Sequence, residues 1–398
     1  MSSLYTLSAS FIWGINTLFL LNSGLNIFEV FIANAVFTSS MTLFEIPTGV
    51  FADTKGRRFS FLVSTIILFL GTIGYVAVSQ FNGGLLFFCI FSIILGLGFT
   101  FYSGAVEAWV VDELHAAGYT GPLDSIFSRA ASISGIMMIL GTIAGGGMGY
   151  INLQIPYIAR ATALVLLFIF ASFFMKEQGF TPLGKSKNFM NHLKRITKDS
   201  LDAGWNHKTL RLFMIVSFFH SAFMMWGFYA SQPYLLDFIG NREAVWISGL
   251  VAASIALAQI LGNSLVNPLI ARVKKRTTIM LASASMAVVF AAGIGISSTF
   301  ISALSFLFLF MAALGLFMPI KQSFMHQLIP KEQRATVISF DSLIGNGGGI
   351  IGQPSLGYLS KAYSIGLSYI TGSFLLLMAI PFILRIQRQG ETADMTES

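Results

Sequence analysis

The chain has 398 residues, of which 55% are hydrophobic and only 10% are charged, and its mean hydropathy is +0.75. Soluble domains carry roughly 25% charged residues, so a chain this poor in charge lacks the polar surface of a soluble protein and has lipid as its main solvent. The single cysteine, Cys89, excludes a disulfide framework and a cysteine metal site.

Twelve apolar segments follow one another along the chain, and each is long enough for the roughly 20 residues that a spanning helix needs. They comprise residues 4–22, 28–51, 59–79, 84–111, 126–150, 155–175, 211–236, 244–270, 277–297, 300–328, 333–360 and 363–384. Polar turns at 80–84 and 297–299 divide the two longest apolar stretches. The sequence therefore predicts an all-α polytopic membrane protein with twelve transmembrane helices.

Basic residues give the chain its net charge of +7 and fall almost entirely in alternate connections between these segments. Five connections and the C-terminal tail hold 20 of the 24 Lys and Arg residues, whereas the opposite loops hold only Arg242 and Lys361. Because cytoplasmic loops carry the excess of basic residues, both termini are predicted to be cytoplasmic in a multi-pass protein of the plasma (cell inner) membrane. The charges then act as membrane anchors and topology signals, and the pattern excludes a nucleic-acid partner.

A long polar stretch, residues 176–211, holds eight Lys and Arg residues and separates six segments from six. We expect an N-terminal six-helix bundle over 1–175 and a cytoplasmic linker over 176–210. A C-terminal six-helix bundle then covers 211–386, and a cytoplasmic tail covers 387–398.

The two halves share a local sequence pattern. Residues 128–134 read SRAASIS at the start of the fifth segment, and residues 333–339 read QRATVIS at the start of the eleventh. Arg129 and Arg334 are about 205 residues apart, and a glycine-rich helix follows each of them. Any two glycine-rich membrane helices look alike to some degree, but the shared arginine and the constant offset favour a true repeat. A two-fold repeat of six-span units is typical of secondary transporters, which bind substrate between their halves.

The loop between the second and third segments carries the most specific pattern, GVFADTKGRR over residues 49–58. Gly49 allows the end of the second helix to pack closely against a neighbour, and Gly56 supplies a tight turn. Asp53 is an acid at the membrane face, where the positive N-terminus of another helix would stabilise it. An ordinary basic loop would explain the two final arginines, but not the spaced glycines and the aspartate.

This pattern resembles the G-x-x-x-D-x-x-G-R-R signature of the major facilitator superfamily, and the resemblance covers the whole chain in span count, two-half layout and position of the signature. It implies that Asp53 caps the eleventh span and latches the halves in the outward-facing state, with one of the two arginines reaching Asp112. The predicted latch residues are Gly49, Asp53, Gly56, Arg57, Arg58, Asp112, Arg129 and Arg334. The second half has only a degraded copy at 267–276, without the acid or the glycines, so the latch is predicted to be one-sided.

Residues 141–149 in the fifth span, GTIAGGGMG, resemble the glycine-rich signature of proton-driven antiporters in the same superfamily. The chain departs from that signature at Gly146, which stands where the family has proline. The resemblance points to the proton-coupled drug and metabolite efflux branch. Close packing of helices through small residues explains the glycines equally well, so both interpretations stay open.

Ionisable residues inside apolar segments are costly in hydrocarbon and usually face a cavity or a partner. Four of them reach similar predicted depths in the cytoplasmic half of a central cavity: Glu45, Glu107, Lys321 and Asp341. Burial favours the protonated form of a carboxyl group, so the three acids are candidates for proton coupling. Lys321 either neutralises Asp341 in a structural ion pair or competes with substrate for it. Glu107 is alternatively part of the latch.

Recognition of a solute also needs aromatic and polar groups in the cavity. The candidates are Trp13, Asn16, Asn34, His220, Trp226 and Tyr229. The first and seventh spans are equivalent in the two halves, so aromatic residues on both suit an amphipathic or aromatic solute. The alternative is that these are packing or interfacial-belt residues, and that the histidine bonds a neighbouring helix.

Other classes of membrane protein lack support in the sequence. No paired metal-ligand histidines and no phosphate-binding loop are seen, so neither an enzyme nor a bound metal or cofactor is predicted. No filter or ring of charge suggests a channel. We expect a monomeric secondary transporter that moves a small solute by alternating access, with protons as the coupling ion and export as the direction. The alternatives are nutrient or siderophore import, and lipid export.

Overall fold

The computed structural model describes residues 1–119, 121, 123–180, 204–240, 244–330 and 333–395. Fifteen helices lie in these ranges: α1 Ser2–Trp13, α2 Asn16–Asn22, α3 Ile27–Lys55, α4 Arg57–Gln80, α5 Gly84–Ser103, α6 Ala105–Ala116, α7 Leu123–Ile151, α8 Ile155–Phe174, α9 Lys208–Ile239, α10 Val245–Ser264, α11 Val266–Arg272, α12 Arg276–Ile296, α13 Phe300–Leu328, α14 Arg334–Ala362 and α15 Ile365–Gln389. A single 3-10 turn, Thr392–Asp394, follows the last of them. The predicted all-α architecture is confirmed.

Three of the predicted spans are broken helices. The first span bends by 45° between α1 and α2, around Gly14 and Ile15. The fourth is interrupted at Gly104 and the eighth at Leu265. Counting each broken pair once, the described residues form twelve helical segments in the predicted order.

Length and composition distinguish the segments. Ten helices are long and apolar enough to cross a membrane, or up to eleven if the bent α1–α2 pair is one span. The helix α14 is 29 residues long and is the least apolar of the long helices, because it is rich in glycine and serine and carries Asp341. A helix of 29 residues is ~44 Å long at 1.5 Å per residue, so its length still suffices for a span.

The chain divides into two compact units. The first comprises Met1–Asn188 with Arg242–Ala253, and the second comprises Phe189–Asn241 with Ser254–Ser398. Most of the predicted linker, residues 181–203, lies outside the described residues.

The core of the first unit is built around aromatic rings from four spans. Phe19 lies 4.1 Å from Tyr157 between ring centroids, and Tyr75 lies 5.2 Å from Phe88. Glycine on α7 allows close packing beside this core, because a Cβ at Gly145 would overlap the carbonyl oxygen of Phe11. The glycine-rich signature in the fifth span thus has a packing function in this unit.

The core of the second unit repeats this arrangement. Phe223, Trp226 and Tyr369 form an aromatic cluster with centroid distances of 4.8–6.1 Å. Here α14 packs closely on α9, because a Cβ at Gly352 would overlap the carbonyl oxygen of Ala222. The glycine-rich helices that follow the two predicted repeat arginines therefore pack in the same way on the first helix of their own half.

Candidate functional site

A cavity of about 320 Å³ lies inside the second unit, between α9, α13 and α14. Polar and apolar side chains alternate around it: Ser217, His220, Ser221, Phe317, Met318, Lys321, Gln322, Met325, His326, Ile338, Asp341, Ser342, Gly345 and Asn346. Ligand pockets usually measure ~300–1,000 Å³, so this cavity suits a small molecule. Within the described residues, no three His, Cys, Asp or Glu side chains come together as a metal site would require.

Lys321 and Asp341 form an ion pair in the wall of this cavity. The Nζ atom of Lys321 lies 2.7 Å from Oδ2 of Asp341 and also donates to the hydroxyl of Ser217. That hydroxyl in turn donates to Oδ1 of Asp341 at 2.7 Å. The three groups therefore form a closed network that joins α9, α13 and α14.

Burial makes this pair sensitive to the loss of either charge. The side chains of Lys321 and Asp341 are only 5% and 16% exposed. Removing one member of a buried pair leaves the other charge uncompensated, at a cost of roughly 3–5 kcal/mol. A proton or a solute that neutralises Asp341 would therefore also change the state of Lys321. This coupling is the chemical property that the site offers.

His220 lies on α9, three residues after Ser217, and its ring stacks on Phe317 with a centroid distance of 5.4 Å and an angle of 10°. The two rings give the cavity a flat wall beside the ion pair. His220 was predicted as a cavity residue from its sequence position alone, and it does line this cavity. His326, on α13, lines the cavity as well.

Several polar residues of the cavity were not predicted, and Ser217 is the most important of them. Ser217 and Ser221 flank His220 on α9, while Asn346 lies five residues after Asp341 on α14. Residues three or four apart share a helix face, so the helical neighbours of each intramembrane charge were the signal that could have identified the two serines.

The two predicted asparagines of the first unit bind each other. Nδ2 of Asn16 donates to Oδ1 of Asn34 at 3.3 Å, and the hydroxyl of Tyr157 donates to Oδ1 of Asn16 at 2.8 Å. This chain of hydrogen bonds connects α2, α3 and α8. Trp13 is partly buried against the core of the same unit.

The predicted cavity aromatics of the seventh span have structural surroundings. Trp226 is fully buried in the aromatic cluster with Phe223 and Tyr369, so its ring serves packing in this structure. Tyr229 is half-buried and lies 5.0 Å from Phe228 between ring centroids.

The signature loop of the first unit contains a small charge network. Arg57 forms an ion pair with Asp53 one turn earlier, and its Nε atom lies 3.7 Å from Oδ2 of Asp112. Gly56 has a φ of +109°, which confirms the need for glycine at this turn. The predicted close packing at Gly49 is not observed, because a Cβ there would meet no described atom of its own unit within 4 Å.

Arg58 has a different partner from the one the signature suggested. Its Nη2 atom donates to the carbonyl oxygen of Ser172 at 2.7 Å, and its backbone N–H donates to Oε1 of Glu177 at 3.1 Å. Glu177 follows α8 and caps the N-terminus of α4. This acid was not predicted, since nothing in the sequence pairs two residues that are 119 positions apart.

The remaining predicted charges lie apart from the ion pair of the second unit. Glu45 and Glu107 belong to the first unit and are exposed on α3 and α6, and Arg129 is exposed on α7. Arg334, at the start of α14, donates through Nε to the carbonyl oxygen of Ile329 at 3.4 Å. Of the four predicted coupling residues, the described structure thus brings Lys321 and Asp341 into direct contact.

Comparison with known proteins identifies relatives over the full length of the chain. The sequence profile described as Major Facilitator Superfamily matches residues 1–352 and, in a second match, 214–396. The chain is 24% identical over 375 residues to a Bacillus subtilis (strain 168) protein named "Uncharacterized MFS-type transporter YxaM", covering 92% of this chain and 89% of that protein.

Solved structures show the same fold at low sequence identity. The nucleoside transporter NupG superposes with a TM-score of 0.80 at 10% identity, covering 97% of this chain and 98% of NupG. A bacterial homologue of the human lysosomal transporter Spinster, in an inward-facing and occupied conformation, gives 0.74 at 13% identity, covering 100% and 97%. These likenesses confirm the predicted fold.

Proposed function

The chain belongs to the major facilitator superfamily, and we propose that within it the chain is a proton-coupled transporter that exports a small amphipathic or aromatic solute by alternating access. The observation that carries this proposal is the buried Lys321–Asp341 pair in the wall of a cavity of about 320 Å³. We further propose a monomer in the plasma (cell inner) membrane with both termini in the cytoplasm.

The ion pair supplies a mechanism for exchange. While Asp341 is ionised, Lys321 neutralises it, and the pair is stable in the poorly hydrated wall. A proton on Asp341 removes this compensation and releases the ammonium group of Lys321. A solute with a hydrogen-bond donor or a positive charge would compete with the proton for the same carboxylate. Competition between proton and solute for one site is what antiport requires.

The lining of the cavity supports the proposed class of solute. His220 and Phe317 form a flat aromatic wall, and Met318 and Met325 add adaptable apolar surface. Polar groups from α13 and α14 complete the wall. A flat molecule with one apolar face and a few hydrogen-bonding groups matches this arrangement.

Two further roles belong to the same proposal. Glu45 would be a second carboxylate that takes up protons, in the first unit. Asp53 would latch the outward-facing state, with Arg57 and Asp112 as its charge partners in the same unit.

Import of a nutrient or siderophore is the second candidate, and the packing of α7 favours keeping it. The antiporter-like glycines have a structural cause, because Gly145 packs on Phe11 and Gly146 packs on Gly249 within the first unit. The sequence resemblance that pointed to export is therefore explained without reference to direction.

The test is proton movement driven by a solute gradient in proteoliposomes. The solute is first selected by thermal stabilisation of the purified protein against metabolites, siderophores and drugs. With wild-type protein we expect an outward solute gradient to drive protons inward, and Asp341→Asn to reduce this flux to that of empty liposomes. The control is Asp237→Asn, which neutralises an exposed acid at the other end of α9.

Two results would contradict the proposal. Full proton exchange in Asp341→Asn would remove this carboxylate from the mechanism, and co-directional movement of protons and solute in wild-type protein would establish import by symport. The same assay on Glu45→Gln tests the second carboxylate, for which we expect loss of gradient-driven transport with solute binding retained.

A further inference from the structure

A second cavity of the same unit is strongly basic. It measures about 350 Å³ and lies between the first turns of α9 and the last turns of α15. Its lining consists of Lys208, Arg211, Leu212, Arg385, Arg388 and Gln389. The positive-inside rule explains why basic residues lie at these predicted cytoplasmic ends. It does not explain why two helices direct four of them at one cavity.

The charge of this cavity is not compensated by acids among the described residues. None of its four cations forms an ion pair there, although an acid is near. The carboxylate of Glu391 accepts a hydrogen bond from the hydroxyl of Thr209, as does the side-chain oxygen of Gln389. Four like charges around one cavity repel one another, and an anion bound between them would relieve that repulsion.

The surface next to the cavity indicates which anion fits. On α15, the residues Phe374, Met378, Pro381, Arg385 and Arg388 follow one another at spacings of three and four, so they share one face of the helix. Phe374 and Met378 are 57% and 52% exposed. An exposed apolar stripe on a membrane helix faces lipid chains, and this stripe leads directly to the two arginines.

We propose that this cavity binds the phosphodiester headgroup of an anionic phospholipid, whose acyl chain lies along the exposed face of α15. Basic pockets between membrane helices on the cytoplasmic side are suited to anionic headgroups. The arginines can bind phosphate oxygens in a bidentate manner, and Lys208 adds a point charge. The apolar stripe favours a lipid over a free phosphate ion, because a free ion would gain nothing from it.

The experiment titrates the purified full-length protein in neutral detergent with dioctanoyl phosphatidylglycerol and follows its thermal unfolding. Dioctanoyl phosphatidylcholine and inorganic phosphate are titrated in parallel. We expect phosphatidylglycerol alone to stabilise the wild-type protein. The variant Arg385→Gln/Arg388→Gln should bind it about 30-fold more weakly, at the usual contribution of a basic residue near a charged membrane surface.

A matched variant distinguishes this site from general surface charge. Arg272→Gln/Lys274→Gln removes two exposed basic residues from another loop of the same unit and should leave the affinity unchanged. Lys208→Gln/Arg211→Gln approaches the cavity from α9 and should weaken binding as much as the α15 variant. Equal loss in the loop variant would overturn the proposal, as would stabilisation by inorganic phosphate to the same extent as by the lipid. Unchanged binding in both cavity variants would overturn it as well.

Discussion

The loop before the third span and the loop before the ninth span hold the following helix by the same kind of contact, made with different residues. At the first loop, the backbone N–H of Arg58 donates to Glu177, which lies just after the sixth span. At the second, the backbone N–H of Thr277 donates to Oδ1 of Asp394 at 2.8 Å, and the threonine hydroxyl donates to Oδ2 at 2.7 Å. Asp394 lies just after the twelfth span, so each half caps its third helix with an acid that follows its last helix.

An arginine strengthens the contact in both halves. Arg58 donates to the carbonyl oxygen of Ser172, and Arg276 donates through Nη1 to the carbonyl oxygens of Ala393 and Met395 at 2.6 Å each. Arg58 and Arg276 both lie in the first turn of their helix. The internal repeat that was inferred from the fifth and eleventh segments therefore extends to these loops.

The two loops differ in how deeply their charges are buried. Asp394 is 2% exposed, whereas the side chains of Asp53 and Asp112 are 34% and 33% exposed. Exposed ion pairs contribute roughly 0–1 kcal/mol, so the network of the first loop can break and re-form at little cost. A buried, doubly bonded carboxylate cannot. We interpret the second loop as a fixed joint and the first as the movable one.

The largest expected effect on stability is at the fixed joint. Asp394→Ala leaves the N–H and hydroxyl of the fully buried Thr277 without their acceptor. An unsatisfied buried donor costs roughly 1–3 kcal/mol, so we expect a loss of about 2–4 kcal/mol in the free energy of unfolding. Thermal unfolding in detergent measures it, with Asp237→Ala as the control. Equal stability of the two variants would show that the joint is not fixed.

A smaller effect is expected at the matching cap of the first half. Glu177→Ala removes one hydrogen bond from the half-buried start of α4. Loss of an N-terminal cap costs roughly 0.5–2 kcal/mol, so we expect about 1 kcal/mol in the same assay. A loss larger than that of Asp394→Ala would reverse the comparison of the two loops.

The smallest effect on stability, but the largest on conformation, is expected for Asp53→Asn. Its ion pair with Arg57 is exposed, so the free energy of unfolding should change by less than about 1 kcal/mol. If Asp53 latches the outward-facing state, the population should move towards inward-facing states. Spin labels at Asn82→Cys and Ser298→Cys in a Cys89→Ser background report this as a shorter distance on the predicted extracellular side. An unchanged distance distribution argues against the latch.

Sequence reasoning succeeded where the signal is local. Hydropathy located the helical segments, and the need of Gly56 for a positive φ was visible in the signature itself. The cost of charge in a membrane identified Lys321 and Asp341 individually, and their possible pairing followed from their predicted depth.

It failed where the partner is distant or the helix face is undetermined. The caps Glu177 and Asp394 bind residues 119 and 117 positions away, and no local pattern encodes such pairs. Trp226 was expected in a cavity but lies in the core, because a helix that is apolar on every side does not reveal which face is buried. Ser217 was missed because a serine in a membrane helix can also bond its own backbone, as this one does to Phe213.

The central claim is that Lys321 and Asp341 couple protons to transport, and the double variant Lys321→Gln/Asp341→Asn tests it most directly. Replacing both charges removes the cost of leaving either one unpaired, so the protein should fold with near wild-type stability. The account predicts that this stable variant binds solute but moves no protons in response to a solute gradient. Restored proton exchange in the double variant would show that the pair is only structural and would contradict the account.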